Sequence, residues 1–457
     1  MLFEILPTRN QASPCHLLLS SITSLRVYST DFPKAGKNWP SSIMLSRAPV
    51  KSKVRRSCCE PFSRMLSLIT VCARVAALLT RQQTWISDQA VHARLANCGA
   101  WLETLLAQLL HEKAARVSLQ TGRSLKVIDA TILTCPAARG TDYRLHLCYE
   151  PLSQASCGVK LTDVKGAERF THFDYELADI VLGDRIYGKA KHLIKVKEQG
   201  ADVIVRQSLQ QMRLYTATGE VIEWQELLIK AQASGRLLIE AVIRNEEGQQ
   251  IPVSVICQRL SAAEIERARR QVKRSASDKG HKTRAATLLA CEWLTILTTI
   301  GPEEMSAEMI LQLYRVRWQI EIYIKRLKSI LKLGKIRASR GSELARVHLL
   351  AKMISALLVE TISVERLGND WTQMTKVRRG TWFRVWKMMR DELTESILGT
   401  AQWRELEWRM MQKAMWERRR RRKLQRLSAP LLRWLKGSSG SGLVKNANQA
   451  SVTHLAA

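Results

Sequence analysis

Four side chains that could act on phosphate esters recur along one apolar pattern between residues 313 and 333. They are a tyrosine, an arginine, a glutamate and a lysine at offsets of 0, 3, 7 and 14, namely Tyr314, Arg317, Glu321 and Lys328. At about 100° per residue on an α-helix, these offsets fall within an arc of roughly 60°. A carboxylate that can bind a metal ion, beside cations that can hold phosphates, is what cleavage of a nucleic-acid backbone requires.

The same segment carries an apolar stripe that would position these side chains. At helical spacing the stripe occupies the neighbouring arc, and its members are Leu313, Val316, Ile320, Ile324, Leu327 and Leu331. The pattern therefore predicts one helix over residues 313–333, with one face in a core and the charged face beside it. The alternative interpretation is a solvated charged face on an amphipathic helix, and the acids upstream decide between the two.

Two aspartates upstream sit in hydrophobic, strand-like segments. Asp129 lies in KVIDATIL and Asp184 in DIVLGDRIYG, each near the predicted end of its strand. An acid at such a position emerges at the edge of a sheet while the strand fixes its place. Together with Glu321 they form a set of hard oxygen donors, which suits Mg²⁺ or Mn²⁺ better than zinc. The competing acids are more typical of turns or caps: Asp142, Asp163, Asp174 and Asp179.

These three contexts together resemble the IS4-type insertion-sequence transposases, which are DDE enzymes with two catalytic aspartates and one catalytic glutamate. The spacing Tyr-x2-Arg-x3-Glu-x6-Lys matches the family's signature around its last acid. The first aspartate is followed two residues later by Thr131, which resembles the D-x-T motif. Asp184, Arg185 and Tyr187 resemble the D-R-x-[YF] motif. Ile186 stands where the family usually has glycine, and this departure could alter the turn.

The resemblance implies roles for further residues and for partners. Arg317 and Lys328 would hold phosphates beside the cut, with Arg185 as a further DNA contact, and Tyr314 would bind a phosphate or stack on a displaced base. Trp293, in EWLTILTTI, resembles the family's Trp-containing strand before the glutamate helix and is a candidate DNA contact, and core packing is an equally good interpretation. The implied partners are double-stranded DNA (terminal inverted repeats and target DNA) and a second copy of the chain, with Mg²⁺ or Mn²⁺ as cofactor.

The elements that must position these residues have the order of an α/β domain. Between residues 125 and 207, three hairpin-like strands precede alternating helices and strands, which favours a mixed sheet. The resemblance names this core ribonuclease-H-like. The 137 residues from Asp184 to Glu321 far exceed one crossover connection, and they include strand-rich sequence that predicts a β-rich insertion.

The resulting fold class is α/β, with a ribonuclease-H-like mixed-sheet core, a β-rich insertion and flanking helical regions. Segments 121–207 and 291–365 are predicted to form the core, and 208–290 the insertion with its charged helix. The helical region 61–120 is either a DNA-end-binding domain or a packing domain. The remaining predicted segments are a poorly ordered or degenerate 1–60, a basic Trp-rich helical 366–436 and a flexible tail at 437–457.

Composition indicates the class of partner. Lysine and arginine number 72 against 41 acids, a net charge of +31, which favours a polyanionic partner. No uninterrupted apolar run is long enough to span a membrane, so nucleic acid is the better candidate. The ten cysteines lack metal-finger spacing and no convincing signal peptide opens the chain, which favours the cytoplasm.

The sequence thus predicts a DNA transposase that binds the terminal inverted repeats of its element and cleaves and transfers DNA strands with a metal ion. Two alternatives stay open. One is an inactive DNA-binding remnant of such an enzyme, and the other is a structure-specific nuclease of the same fold.

Overall fold

The computed structural model describes residues 86–118, 123–136, 140–334, 336, 338–367, 378–380, 382–398, 416–418, 428–435 and 453–454. The predicted segment 1–60, and most of the predicted region 366–436 and tail 437–457, lie outside these residues. The chain divides into two compact units, which we describe separately. The sheet unit comprises Leu110–Leu133, Arg139–Lys325 and Arg421–Ala457, and the helical unit comprises Met1–Leu109, Thr134–Ala138 and Arg326–Arg420.

The strands of the sheet unit run through the predicted core and insertion. They are β1 (Leu125–Leu133), β2 (Tyr143–Glu150), β3 (Ala155–Asp163), β4 (Ile180–Gly183), β5 (Asp202–Arg206), β6 (Arg236–Arg244), β7 (Gln250–Arg259) and β8 (Trp293–Thr298). Their order in the sheet is β6-β7-β8-β5-β4-β1-β2-β3, and the short strand Thr453–His454 lies parallel to β6. The central strands β1, β4 and β5 are parallel and the others antiparallel, so the predicted mixed sheet is confirmed.

The helices that the structure describes surround this sheet or build the helical unit. They are α1 (Asp88–Ala96), α2 (Gly99–Ser118), α3 (Ala190–Glu198), α4 (Trp224–Lys230), α5 (Ala262–Ser277), α6 (Ala285–Ala290), α7 (Ala307–Val316), α8 (Trp318–Ile330), α9 (Glu343–Leu367), α10 (Trp382–Leu398) and α11 (Ala429–Leu435). Between residues 125 and 206, three strands precede alternating helices and strands, which is the order that the hydrophobic pattern predicts.

The core of the sheet unit forms because alternate side chains of each strand point to the same face. One face presents Ile128 of β1, Val181 of β4 and Val203 of β5 to a single buried cluster. Helix α3 covers that cluster with Leu193 and Val196, which are both buried. Helix α7 lies against β5 and β8.

The predicted β-rich insertion is present, but its strands are not a separate sheet. Strand β7 pairs with β8, and β8 pairs in turn with β5, so the β6–β7 hairpin extends the central sheet. The reason is that β8 offers a hydrogen-bonding edge on each side. The hairpin therefore forms the backbone hydrogen bonds of its β7 edge with β8 of the central sheet, and it does not form a sheet of its own.

Two helical predictions need correction. The predicted helix over 313–333 is divided at Arg317, whose N–H bonds to the carbonyl of Tyr314 in a tighter, three-residue turn, and it ends at Ile330. Trp416–Arg418, expected to be helical, pairs antiparallel with Arg378–Gly380 as a short strand. In both places backbone hydrogen bonds outside the α-helical pattern override local propensity.

Hydrogen bonds from long side chains and a buried apolar helix stabilise the helical unit. Arg346 donates to Glu103 Oε1 at 2.9 Å, and Lys352 Nζ lies 2.6 Å from the carbonyl oxygen of Lys332. Within α9, the stretch Glu343–Val364 is long and apolar enough to cross a membrane by length and composition, and 83% of its apolar window is buried inside the protein. That degree of burial is typical of a core helix.

Candidate active site

Asp129 and Asp184 occupy equivalent positions on neighbouring parallel strands. The β1–β4 pairing ends with Val127 opposite Leu182, and each aspartate lies two residues beyond that pair. Neighbouring strands are about 4.8 Å apart, so both carboxylates emerge at one edge of the sheet and on one face. The sequence predicts Asp129 near the end of its strand, but β1 continues to Leu133 through its pairing with β2. The edge at which both carboxylates emerge is therefore the one where β4 ends.

Glu321 stands in the first turn of α8, and a buried tyrosine fixes that turn on the sheet. Tyr323 is fully buried, and its ring stacks on that of Tyr149 in β2 with centroids 4.5 Å apart. Its hydroxyl lies 2.7 Å from Ser156 Oγ in β3. The glutamate two residues earlier is thereby held at the sheet by both a packing contact and a hydrogen bond.

Arg317 and Tyr314 connect the acids. Arg317 donates to Glu321 Oε1 at 2.6 Å, and Tyr314 donates from its hydroxyl to Asp184 Oδ1 at 3.4 Å. The guanidinium carbon of Arg317 lies 5.8 Å from the centre of the Tyr314 ring. The structure thus brings together four of the predicted residues around the edge at which Asp129 also emerges.

Burial dominates the electrostatics of this edge. It raises the pKa of Asp129 to about 6, against the hydrogen bond from the backbone of Ala130 and the charge of Arg317, with Glu168 and Glu321 adding to the increase. Burial likewise raises the pKa of Tyr314 to about 12. The hydrogen bond from Ala130 and the charge of Arg317 only partly offset the effect of burial on the pKa of Asp129.

The other predicted residues lie in different environments. Arg185 is exposed in the turn directly after Asp184, and burial of its guanidinium and the nearby Arg206 lower its pKa. Lys328 is exposed on α8, in the part of that helix that belongs to the helical unit. Trp293 is 3% exposed at the start of β8 and belongs to the core cluster. Its burial supports core packing, and its DNA contact stays a prediction that would require this packing to open.

Sequence reasoning missed two charged residues at this edge. Arg206 ends β5, and its charge lowers the pKa of Tyr314. Its position as the last, charged residue of a buried strand is the same signal that indicated Asp184. Glu168 lies in the loop after β3, and its charge raises the pKa of Asp129. A loop glutamate has no periodic signal that could have identified it.

The donor set fits a divalent cation, although the side chains are engaged with one another. In the part of the chain that the structure describes, no three His, Cys, Asp or Glu residues are gathered closely enough to hold an ion. Glu321 is bound by Arg317 and Asp184 by Tyr314, while Asp129 Oδ1 accepts the N–H of Ala130 at 2.8 Å. Carboxylate oxygens are the ligands that Mg²⁺ and Mn²⁺ prefer, so the chemistry of the three acids suits such a cation.

Comparisons with known proteins identify the family of this chain. Residues 120–358, more than half of the chain, match the family described as transposase DDE domain. The chain is 31% identical over 282 residues to the transposase for insertion sequence element IS421 of Escherichia coli, covering 61% of this chain and 76% of that protein. The InsL protein of insertion sequence element IS186A of Escherichia coli strain K12 gives the same identity and coverage. A transposase of element IS231F from Bacillus thuringiensis subsp. israelensis is 26% identical over 166 residues, 36% of this chain and 30% of that protein. The chain therefore belongs to the IS4-type DDE transposases of insertion sequences.

Proposed function

We propose that this transposase binds the terminal inverted repeats of its element and cleaves and transfers DNA strands there, with Asp129, Asp184 and Glu321 as ligands of Mg²⁺ or Mn²⁺. The observation that carries the proposal is the shared register of Asp129 and Asp184 at the end of β4. Glu321 joins them because Tyr323 holds its helix on β2 and β3.

In this proposal the three carboxylates would hold the cations that phosphoryl transfer needs. Divalent cations held there would activate a water and then a 3′-hydroxyl for in-line attack on phosphorus and would stabilise the leaving oxygen. The carboxylates themselves do no covalent chemistry. Their contribution would be to position the reacting oxygens in line. The hydrogen bond of Tyr323 holds the helix that carries Glu321 against the sheet.

Arg317 is suited to hold the DNA backbone. Its guanidinium presents several donors in one plane, and Glu321 Oε1 accepts one of them at 2.6 Å. If Glu321 held a cation, the donors of Arg317 would be free to bind the oxygens of a DNA phosphate in bidentate fashion. Tyr314, Arg185 and Lys328 are the further DNA contacts in this proposal, with Trp293 only if its packing opens.

The surface charge supports a DNA partner. Helix α5 has no buried residue. Its half-buried side chains lie on one stripe, and the opposite face, within an arc of roughly 60°, carries three exposed arginines: Arg267, Arg270 and Arg274. An exposed basic face of this kind neutralises phosphates without reading sequence. We extend the proposal to a homodimer that bridges two DNA ends and to the cytoplasm as the site of action.

The test is a cleavage and joining assay on duplex DNA carrying the element's own ends, with Mn²⁺, using wild type and the Glu321→Gln variant. The matched control is Glu303→Gln, because Glu303 is an exposed glutamate outside the site. We expect wild type and the control to nick the ends and join them to target DNA, and Glu321→Gln to do neither.

The products distinguish the alternatives. Cleavage that never leads to joined strands would identify a structure-specific nuclease instead. DNA binding without cleavage or joining would identify an inactive remnant. Either result would overturn the proposal for this chain.

A further inference from the structure

The loop between β3 and β4 holds one glutamate in a fixed position. Asp163 Oδ1 accepts the N–H groups of Lys165 and Gly166 at 3.0 and 3.1 Å, which sets the turn that leaves β3. Arg144 donates to the carbonyl oxygen of Gly166 at 2.5 Å. Glu168 comes two residues after Gly166, so these contacts hold the backbone that leads to it.

The loop is fixed on the other side of Glu168 as well. His172 Nε2 lies 2.7 Å from the carbonyl oxygen of Ala167, the residue directly before the glutamate. Phe170, two residues after it, is fully buried, and Tyr175 donates to its carbonyl oxygen at 2.8 Å. These contacts hold the backbone on both sides of Glu168, so the position of its carboxylate depends mainly on its side-chain torsions.

The carboxylate of Glu168 is mostly buried and poorly paired. Its side chain is 19% exposed, and Arg144 Nε is 3.7 Å from Oε1, too far for a hydrogen bond. That Arg144 nitrogen has no hydrogen-bond partner of its own. Burial raises the pKa of Glu168, Arg144 opposes the increase, and Asp184 adds to it. The loop itself lies beside the second aspartate, because the Phe170 ring fills the space next to Gly183, the residue before Asp184, where an added Cβ would lie 2.5 Å from Phe170 Cζ.

A second group at the same place also lacks a partner. The side chain of Tyr187 is fully buried, and its hydroxyl makes no hydrogen bond. Burial is the first cause of its raised pKa, and the charges of Asp129, Glu168 and Asp184 all add to it. A buried hydroxyl without a partner costs free energy, of order 1–3 kcal/mol, unless another group supplies the missing interaction. The Tyr187 ring packs against that of Phe170, two residues after Glu168, with centroids 5.0 Å apart. A hydrated cation bound beside it would supply the missing hydrogen-bond partner.

We propose that Glu168 is a fourth carboxylate of the metal centre, and that the Tyr187 hydroxyl serves the same centre. This inference rests on the proposed function, because it adds two residues to the site of Asp129 and Asp184. Glu168 would add its negative charge to that of Asp129, Asp184 and Glu321, and the Tyr187 hydroxyl would hold a water beside the centre.

The alternative role for Glu168 is purely structural, as a partner of Arg144. The distance of 3.7 Å argues against that role, since the arginine is held instead by its 2.5 Å bond to Gly166. The glutamine variant separates the two roles because it keeps the size of the side chain and removes only its charge. A structural role predicts a change in stability, whereas a metal-facing role predicts a change in cation affinity.

The experiment is a titration of the full chain, free of DNA, with Mn²⁺, followed by electron paramagnetic resonance of the unbound ion. Wild type, Glu168→Gln, Tyr187→Phe and Asp129→Asn are compared with Glu246→Gln, an exposed glutamate in the β6–β7 turn. Loss of a group that faces the cation typically weakens binding about 10- to 100-fold. We expect a loss in that range for Glu168→Gln and a smaller loss for Tyr187→Phe. We expect Glu246→Gln to bind like wild type, and thermal unfolding of Glu168→Gln to match that of Glu246→Gln.

The outcomes separate this inference from the proposed function. If Asp129→Asn loses Mn²⁺ and Glu168→Gln binds it like wild type, the fourth carboxylate is wrong and the three-acid centre stands. If Glu168→Gln loses Mn²⁺ only together with a large drop in its unfolding temperature, its role is structural and the inference is overturned. If wild type binds no Mn²⁺, or Asp129→Asn binds it equally well, the metal assignment of the proposed function fails as well.

Discussion

Arg317 donates a 2.6 Å hydrogen bond to Glu321, four residues further along the chain and in the first turn of the next helix. The pair is partly buried, with the two side chains 15% and 32% exposed. A guanidinium in this position neutralises the acid while no cation is bound. In the proposed function the same guanidinium also holds the DNA backbone. The pair is therefore the place where cation binding and DNA binding would compete for Arg317.

The first prediction concerns this ion pair. Replacing Arg317 by Gln removes a positive charge that competes with a bound cation, so Mn²⁺ affinity should rise about 3- to 10-fold, equivalent to roughly 1 kcal/mol of relieved repulsion. Cleavage of DNA should fall, because a phosphate contact is lost. The control is Arg315→Gln, an exposed arginine of the preceding turn. Weaker Mn²⁺ binding by Arg317→Gln would show that the arginine supports the site rather than competing with the cation.

The second prediction concerns pH. Burial raises the pKa of Asp129 to about 6 in the metal-free chain. Because the protonated carboxyl must lose its proton to bind a cation, Mn²⁺ affinity should be full above pH 6 and should fall about tenfold per unit below it. Titrations between pH 7.5 and 5 would measure this dependence. An affinity that stays constant down to pH 5 would contradict the raised pKa.

The third prediction concerns the attachment of α8 to the sheet. Tyr323→Phe and Ser156→Ala each remove one partner of the 2.7 Å hydrogen bond, and each should lower the free energy of unfolding by about 1–3 kcal/mol. The double variant should lose clearly less than the sum, because the second substitution removes a group that the first has already left unpaired. Chemical denaturation of the four proteins gives the coupling energy. Additive losses would mean that the two side chains do not interact.

The fourth prediction concerns α5 as a DNA surface. Substituting glutamine for Arg267, Arg270 and Arg274 together should weaken non-specific DNA binding. The slope of log affinity against log salt should become shallower by roughly 2 to 3, since each lost phosphate contact contributes about 0.9. Glu266→Gln on the same helix is the opposite control and should bind DNA at least as well as wild type. A slope unchanged in the triple variant would remove α5 from the DNA interface.

The predictable part of the site is the part encoded in periodic patterns. The apolar stripe from Leu313 to Leu331 predicts which face of α7 and α8 is buried, and five of its six members are buried. The break at Arg317 was not predictable, because a single tightened turn leaves the apolar spacing almost unchanged. The strands carrying Asp129 and Asp184 were predicted from their hydrophobic runs, but their alignment depends on a parallel register between segments about fifty residues apart.

What could not be predicted depends on pairing between distant segments or on single loop residues. The β6 and β7 strands were expected, yet only the edges of β8 decide that they extend the central sheet. Trp293 shows the same limit, because a tryptophan in a strand is equally suited to DNA contact and to the core until the packing is known. Glu168 was missed for a third reason, since one loop acid carries no pattern at all.

The most direct test of the three-acid centre is single-turnover cleavage of duplex end DNA in Mn²⁺ by Asp129→Asn, Asp184→Asn and Glu321→Gln, with DNA binding measured beside it. Each variant should bind DNA like wild type and lose at least about a thousandfold in cleavage rate, and double variants should lose no more, because ligands of one centre act as a unit. Asp174→Asn, at an exposed aspartate, should cleave normally. If any of the three variants keeps a cleavage rate near that of wild type, these residues do not form the catalytic centre.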